Sequence, residues 1–166
     1  MRHAKAESYA ADDKSRALTE RGRLDALEAG QWLASRDLRP DHVVVSSAAR
    51  TRSTWASVDE GLDVDVEAVY EDALYSAGPQ TALDVIREVP ADAKTVLVIG
   101  HNPTIAYLAH MLDDGSGDDV AFSEMSEGYP TAALTVLEVP GPWADLAEAS
   151  AHITAFHVGH GGPAAG

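Results

Sequence analysis

Two arginines and two histidines in this chain, Arg2, His3, Arg50 and His101, are of the types that do chemistry on a phosphoryl group. A guanidinium is planar, permanently charged and forked, so it grips two phosphate oxygens at once. A neutral imidazole is a nucleophile, and neighbouring cations disfavour its protonated form. A histidine kept neutral between arginines can attack phosphorus while the arginines hold the charge that gathers on the oxygens. The four residues lie far apart in the chain, so the fold has to bring them together.

The segments around them indicate how. Val43-Val44-Val45 leads into Ser46-Ser47-Ala48-Ala49-Arg50, and Val96-Leu97-Val98-Ile99 leads into Gly100-His101-Asn102-Pro103. Short β-branched apolar runs of this kind read as strands of a parallel sheet covered on both faces. A stretch that can be helical follows each. In such sheets the loops at the carboxyl ends of the strands form the ligand crevice, which is where Arg50 and His101 fall. Arg2-His3 becomes the third contributor if it too leaves the end of a strand.

Taken in order, Arg2-His3-Ala4, Leu18-Thr19-Glu20-Arg21-Gly22, Ser46-Ser47-Ala48-Ala49-Arg50 with Thr54, and Gly100-His101-Asn102-Pro103 resemble the histidine phosphatase (phosphoglycerate-mutase-like) superfamily. The short chain and the Lys14-Ser15-Arg16-Ala17-Leu18-Thr19 lead-in are most similar to its small bacterial SixA-type phosphohistidine phosphatases. The match runs from Met1 to near Leu112, and it rests on the motifs occurring together and in this order. The resemblance implies a phosphoglycerate-mutase-like α/β fold, a three-layer sandwich with a mostly parallel central sheet. It implies a metal-independent phosphatase without cofactor, working through a phosphohistidine intermediate on a phosphorylated substrate, with a phosphohistidine-containing protein foremost. In that reading His3 is the nucleophile, Arg2 and Arg50 bind phosphate, His101 donates to the phosphoryl oxygens, and Arg16 is a further phosphate ligand. Against these roles stand an ordinary terminal histidine, surface or structural arginines, and a strand-end histidine tied to backbone. The resemblance also implies a central strand ahead of Arg2, where only Met1 stands. Residues upstream of Met1 in the natural protein are the expected source of it, unless another segment fills that place.

The general acid is not defined by the motifs. Many members of the superfamily use a carboxylate to protonate the leaving oxygen, and SixA-type proteins do not show it in the usual place. Glu71, Asp72 and Asp13 are the candidates, each otherwise a solvated carboxylate. Imidazole, with a pKa of about 6.5, leaves far more readily than an alkoxide, so a phosphohistidine phosphatase can work without a strong acid. Two alternatives remain open: a small-molecule phosphomonoesterase, which needs such an acid, and a non-catalytic phosphate- or phosphoprotein-binding module.

Composition bounds the rest. A chain of 166 residues with 45% apolar content suits one domain, expected over 1–158 with a disordered Gly/Pro/Ala-rich tail over 159–166. Without cysteine there are no disulfides and no thiolate chemistry, which is compatible with a reducing cytoplasm, the expected compartment. A formal net charge of −15 argues against nucleic acid or an anionic membrane as partner. It also requires a local basic island around any anion site, for which Arg2, Lys5, Arg16 and Arg50 are available. His157 and His160 have a spacing found in metal sites, but no matching ligands accompany them, and no metal is expected.

Along the chain, Ala6 to Ala17 reads as a loop over the site. Thr19 reads as the N-cap of a helix reaching about Ser35. Asp41 to Ser46 reads as a strand, Thr51 to Asp59 as a helix, and the alternating Val64 to Val69 as a half-exposed strand. Pro79 suits the first turn of a helix reaching Glu88. A strand over Thr95 to Ile99 and a helix from Pro103 to Leu112 follow. Asp113 to Gly128, rich in Gly, Ser and acid, reads as a mobile loop, with strands expected over Thr131 to Val139 and His152 to Val158.

Overall fold

In the computed structural model, which describes residues 1–161, the valine-rich run becomes β1 (His42–Ser46) at the centre of a parallel sheet. Its neighbours are β2 (Val69–Glu71), with Val44 opposite Val69, and β3 (Val96–Ile99), with Val43 opposite Leu97. Alternation along β1 decides what each face meets, because successive side chains point to opposite sides. Val43 and Val45 enter a core with α1 (Glu20–Ser35) and α2 (Ala49–Leu62). Val44 enters another, with α3 (Pro79–Arg87) and α4 (Thr104–Leu112). Helices on both faces of a parallel sheet make the expected three-layer α/β sandwich.

The crossing of α1 and α2 is unusually close, and two glycines permit it. A Cβ on Gly30 would lie 2.2 Å from the Val58 carbonyl oxygen, and one on Gly61 would lie 2.3 Å from that of Leu27. Thr19 caps α1 as expected, its side chain accepting from Gly22 N.

Met1 to His3 forms the seam of the molecule. On one side Met1 N donates to Val98 O (2.8 Å), Gly100 N to Met1 O (3.1 Å) and His3 N to Gly100 O (3.0 Å). On the other, Arg2 N donates to Ala133 O (2.8 Å) and Ala132 N to His3 O (3.1 Å). These bonds join the parallel sheet to an antiparallel pair, β4 (Ala133–Glu138) and β5 (His152–Val158). Beyond Met1, between Val96–Val98 and Thr135–Val139, an apolar cleft of about 440 Å³ separates the two.

Three expectations need correction. Residues 64–68 form no strand: Val64, Val66 and Ala68 pack against the α1–α2 core, and pairing starts only at Val69. The supposed loop after α4 contains a helix, α5 (Asp119–Glu127), capped by the Asp118 side chain on Ala121 N and anchored by buried Ala121 and Met125. The expected disordered tail is ordered at its start. Gly159 N bonds Ala132 O, His160 N bonds Glu28 and Gly161 N bonds Asp25, while 162–166 lie outside the described residues. Among the described residues, no helix is long and apolar enough to cross a membrane.

The helix crossing yields a stability prediction. Gly30→Ala forces α1 and α2 apart against backbone, and overpacking of this kind costs about 1–3 kcal/mol or more. Gly141→Ala, whose new methyl group meets only open space, is the control. Urea unfolding should show a lowered midpoint for the first variant and a nearly unchanged one for the second.

Candidate active site

Arg50 stands in the first turn of α2, directly after the end of β1, and His101 follows the end of β3. The seam places Arg2 and His3 beside Gly100, so three segments meet at the carboxyl edge of the parallel sheet. Thr54 ties them together. Its hydroxyl accepts from Ala4 N (3.0 Å) and donates to Arg50 O (2.7 Å), one α2 turn below the guanidinium. The Arg-His segment is thereby fixed to the helix that carries Arg50.

The His3 and His101 rings lie 5.3 Å apart, centroid to centroid, tilted by 60°. His3 is buried, and its Nδ1 lies 2.7 Å from Ala4 O. A carbonyl oxygen can only accept, so Nδ1 carries the proton and Nε2 keeps its lone pair. His101 Nε2 lies 2.7 Å from Ser46 Oγ, while its Nδ1 is buried without a hydrogen-bond partner. Arg2 Nη1 donates to Tyr129 O (2.8 Å), and Arg50, almost wholly buried, donates through Nη1 to Asp13 O (2.7 Å). The Nε atoms of both arginines are buried and without partners. Buried polar atoms are normally satisfied, and unpaired ones of this kind mark places where a polar group can be received.

Electrostatics keep both imidazoles neutral. The His3 pKa is lowered to about 4, chiefly by burial and further by Arg50, Arg2 and Arg16, against the opposing bond to Ala4 O. That of His101 is lowered to about 3, again first by burial and then by Arg50 and His3. Arg16 faces the same region but is tied down, with Nε on Asp13 (2.9 Å) and Nη1 on Glu7 O (3.1 Å).

Two of the three candidate acids, Asp13 and Asp72, do not stand ready to give protons. Asp13 accepts from the Tyr75 hydroxyl (2.7 Å), Arg50 Nη2 (3.1 Å) and Arg16. Tyr75 first, then Arg50 and Arg16, outweigh the opposing effect of burial and hold its carboxyl at about 2. Asp72 is held below the ordinary range by hydrogen bonds from Lys14 (2.6 Å) and the Ser47 hydroxyl. Glu71 spends its carboxylate on Ala73 N (3.0 Å). Sequence reasoning missed two neighbours of the site, Ser46 and Tyr75. The Tyr75 ring meets His101 edge-on, at 5.7 Å and 87°. Ser46 could have been noticed as a polar residue closing an apolar strand; nothing local marks Tyr75. His157, considered for a metal, instead bonds Glu28 (2.9 Å) and stacks on Trp32 at 4.5 Å.

Comparison with known proteins places the chain in a family. The profile of the histidine phosphatase superfamily (branch 1) matches residues 1–75. An uncharacterised protein of Mycobacterium tuberculosis is 40% identical over 160 residues, covering 95% of this chain and 99% of its own. A phosphohistidine phosphatase SixA homolog of Haemophilus influenzae is 31% identical over 114 residues, 63% of this chain and 70% of its own. A solved structure from Nakamurella multipartitia, assigned to the SixA phosphohistidine phosphatases, superposes with a TM-score of 0.83 at 37% identity, covering 99% of this chain and 94% of that one.

The tie through Thr54 can be checked. Thr54→Val keeps shape but strands Ala4 N in a buried position, which costs about 1–3 kcal/mol. Calorimetry should show a lowered Tm. Because Ala4 adjoins His3, phosphatase turnover should fall as well, even at temperatures where the variant is fully folded.

Proposed function

Because this chain belongs to the histidine phosphatase superfamily and is a phosphatase of SixA-like kind, we propose that it dephosphorylates phosphohistidine in a protein, with His3 as nucleophile. The observation that carries the reading is the His3 Nδ1–H bond to Ala4 O, which leaves the Nε2 lone pair for attack on phosphorus. In the first half-reaction His3 Nε2 forms a bond to phosphorus as the N–P bond of a substrate phosphohistidine, protonated on its other ring nitrogen, breaks, so that the ring departs with the bonding pair as neutral imidazole. In the second, water attacks phospho-His3, inorganic phosphate leaves and His3 regains its lone pair.

Arg2 and Arg50 hold the equatorial oxygens, His101 donates to them, and Arg16 joins once its bond to Asp13 is exchanged for the substrate. The positive charge comes from guanidinium groups, and the reading assigns no role to a metal. Residues 1–158 act as one unit in it, and the partner is a cytoplasmic phosphoprotein. The state of the nearby carboxylates favours this substrate class over a phosphomonoester. Asp13 and Asp72 are held ionised, whereas an alkoxide leaving group needs a protonated donor.

Two measurements follow from this division of labour. Incubation with a labelled phosphodonor and an alkaline quench should show His3→Ala without label and without turnover. His101→Ala, having lost one charge-stabilising donor, should be slower by about 10²–10³ yet still label on His3. Label on His101, or undiminished label in His3→Ala, contradicts the assignment.

The second concerns pH. A nucleophile must be neutral, and a lowered pKa extends the neutral form to more acid solution. The rate of covalent labelling should therefore be lost only as pH falls through about 4, rather than through the value of about 6.5 of an ordinary histidine. A labelling profile that breaks at the ordinary value would contradict the buried, cation-flanked setting of His3.

A further inference from the structure

Ser46 closes β1, is fully buried, and points its hydroxyl at His101 Nε2 from 2.7 Å. It is itself held firmly, its carbonyl accepting from Thr51 Oγ1 at 2.6 Å. The His101 ring is flanked by His3 on one side and the edge of Tyr75 on another. Two proton arrangements fit the Ser46–His101 contact. If Nε2–H donates to Ser46 Oγ, the serine proton finds no acceptor among the described residues, and Nδ1 is left as a second buried orphan. If Ser46 Oγ–H donates to Nε2, the proton resides on Nδ1, and that N–H is the one proton of this pair without an acceptor among the described residues. The second arrangement strands fewer buried polar groups, which is the arrangement proteins adopt. It also makes Nδ1 a donor that is buried and unpaired, as the Nε–H groups of Arg2 and Arg50 are.

We propose that Ser46 is a positioning residue that locks His101 in its Nδ1–H tautomer, so that a neutral imidazole presents a proton to the phosphoryl oxygens. The proposal rests on the phosphatase reading above and adds the group that sets His101 up for it. Which nitrogen of a histidine carries the proton is set by the bond the other makes. Without the serine hydroxyl, nothing keeps the proton from Nε2, and Nδ1 would then turn a lone pair toward the phosphoryl oxygens. Ser46 itself never touches substrate in this account.

The test is nitrogen NMR of the full chain carrying ¹⁵N-histidine, at neutral pH and without substrate. In the unaltered protein His101 should show a protonated Nδ1 and an unprotonated Nε2. Ser46→Ala should reverse that assignment and lose turnover by about 10²-fold, the scale of one misdirected charge-stabilising donor. Ser46→Thr, which keeps the hydroxyl, should retain both the tautomer and most of the turnover. A proton on His101 Nε2 in the unaltered protein, or an unchanged tautomer in Ser46→Ala, overturns the proposal. Should Ser46→Ala fail to fold, the tautomer of the unaltered protein decides alone. The tautomer is read without catalysis, so its failure is distinguishable from failure of the phosphatase reading, which would instead appear as absent turnover with the Nδ1–H form intact.

Discussion

The hydrogen bonds that seat Met1, Arg2 and His3 between the end of β3 and the start of β4 are the constraint from which the site follows. They fix backbone on both sides, so the two side chains have little choice of place. Arg2 reaches Tyr129 O in the segment leading to β4, and His3 comes to rest against His101. Thr54 adds the third fixed point by bonding Ala4 N while anchored to Arg50 O. His3, the cation beside it and the facing His101 are thus set by backbone geometry rather than by flexible side-chain contacts. Such preorganisation lets charge stabilisation act without reorganisation at the moment of reaction.

The electrostatic design answers a difficulty posed by the whole molecule. A chain with a formal net charge of −15 repels phosphorylated substrates at long range. The site counters locally, with Arg50, Arg2 and Arg16 acting on His3, and Arg50 and Arg16 on His101. Their charge also adds to burial in keeping His3 unprotonated, the form that the proposed attack on phosphorus requires. Asp13 stands among Arg50, Arg16 and Tyr75 as an internal counter-ion. Its carboxylate satisfies the guanidinium groups from the solvent side while the inner Nε atoms stay unpaired.

Much of this was legible from local pattern. β1 and β3 declare themselves because apolar β-branched runs bounded by polar turns have few other uses, and Arg50 and His101 inherit their placement from those strands. α3 buries an apolar stripe of Ala82, Leu83 and Ile86, and α1, whose stripe is less regular, is marked by its Thr19 cap. What was not legible depends on partners distant in the chain. Tyr75 meets Asp13 across 62 positions, and Ser46 meets His101 across 55. Alternation at Val64, Val66 and Ala68 suggested a strand, but those side chains fill the α1–α2 core while the ladder starts at Val69. In α5 only Ala121 and Met125 are buried, and its acidic, serine-containing surface resembles a loop. The seam was the hardest feature of all, since a single residue ahead of Arg2 carries no periodicity, and its place is set by Val98, Gly100 and Ala133.

The central claim is that phosphorus bonds to one particular nitrogen. Trapping the covalent intermediate in alkali, hydrolysing it to free amino acids and separating the two phosphohistidine isomers reads that nitrogen directly. The account predicts phosphorus on Nε2, because Nδ1 of His3 holds its proton against Ala4 O. Phosphorus on Nδ1 would require that bond to break before the chemistry begins, and finding it there would contradict the account.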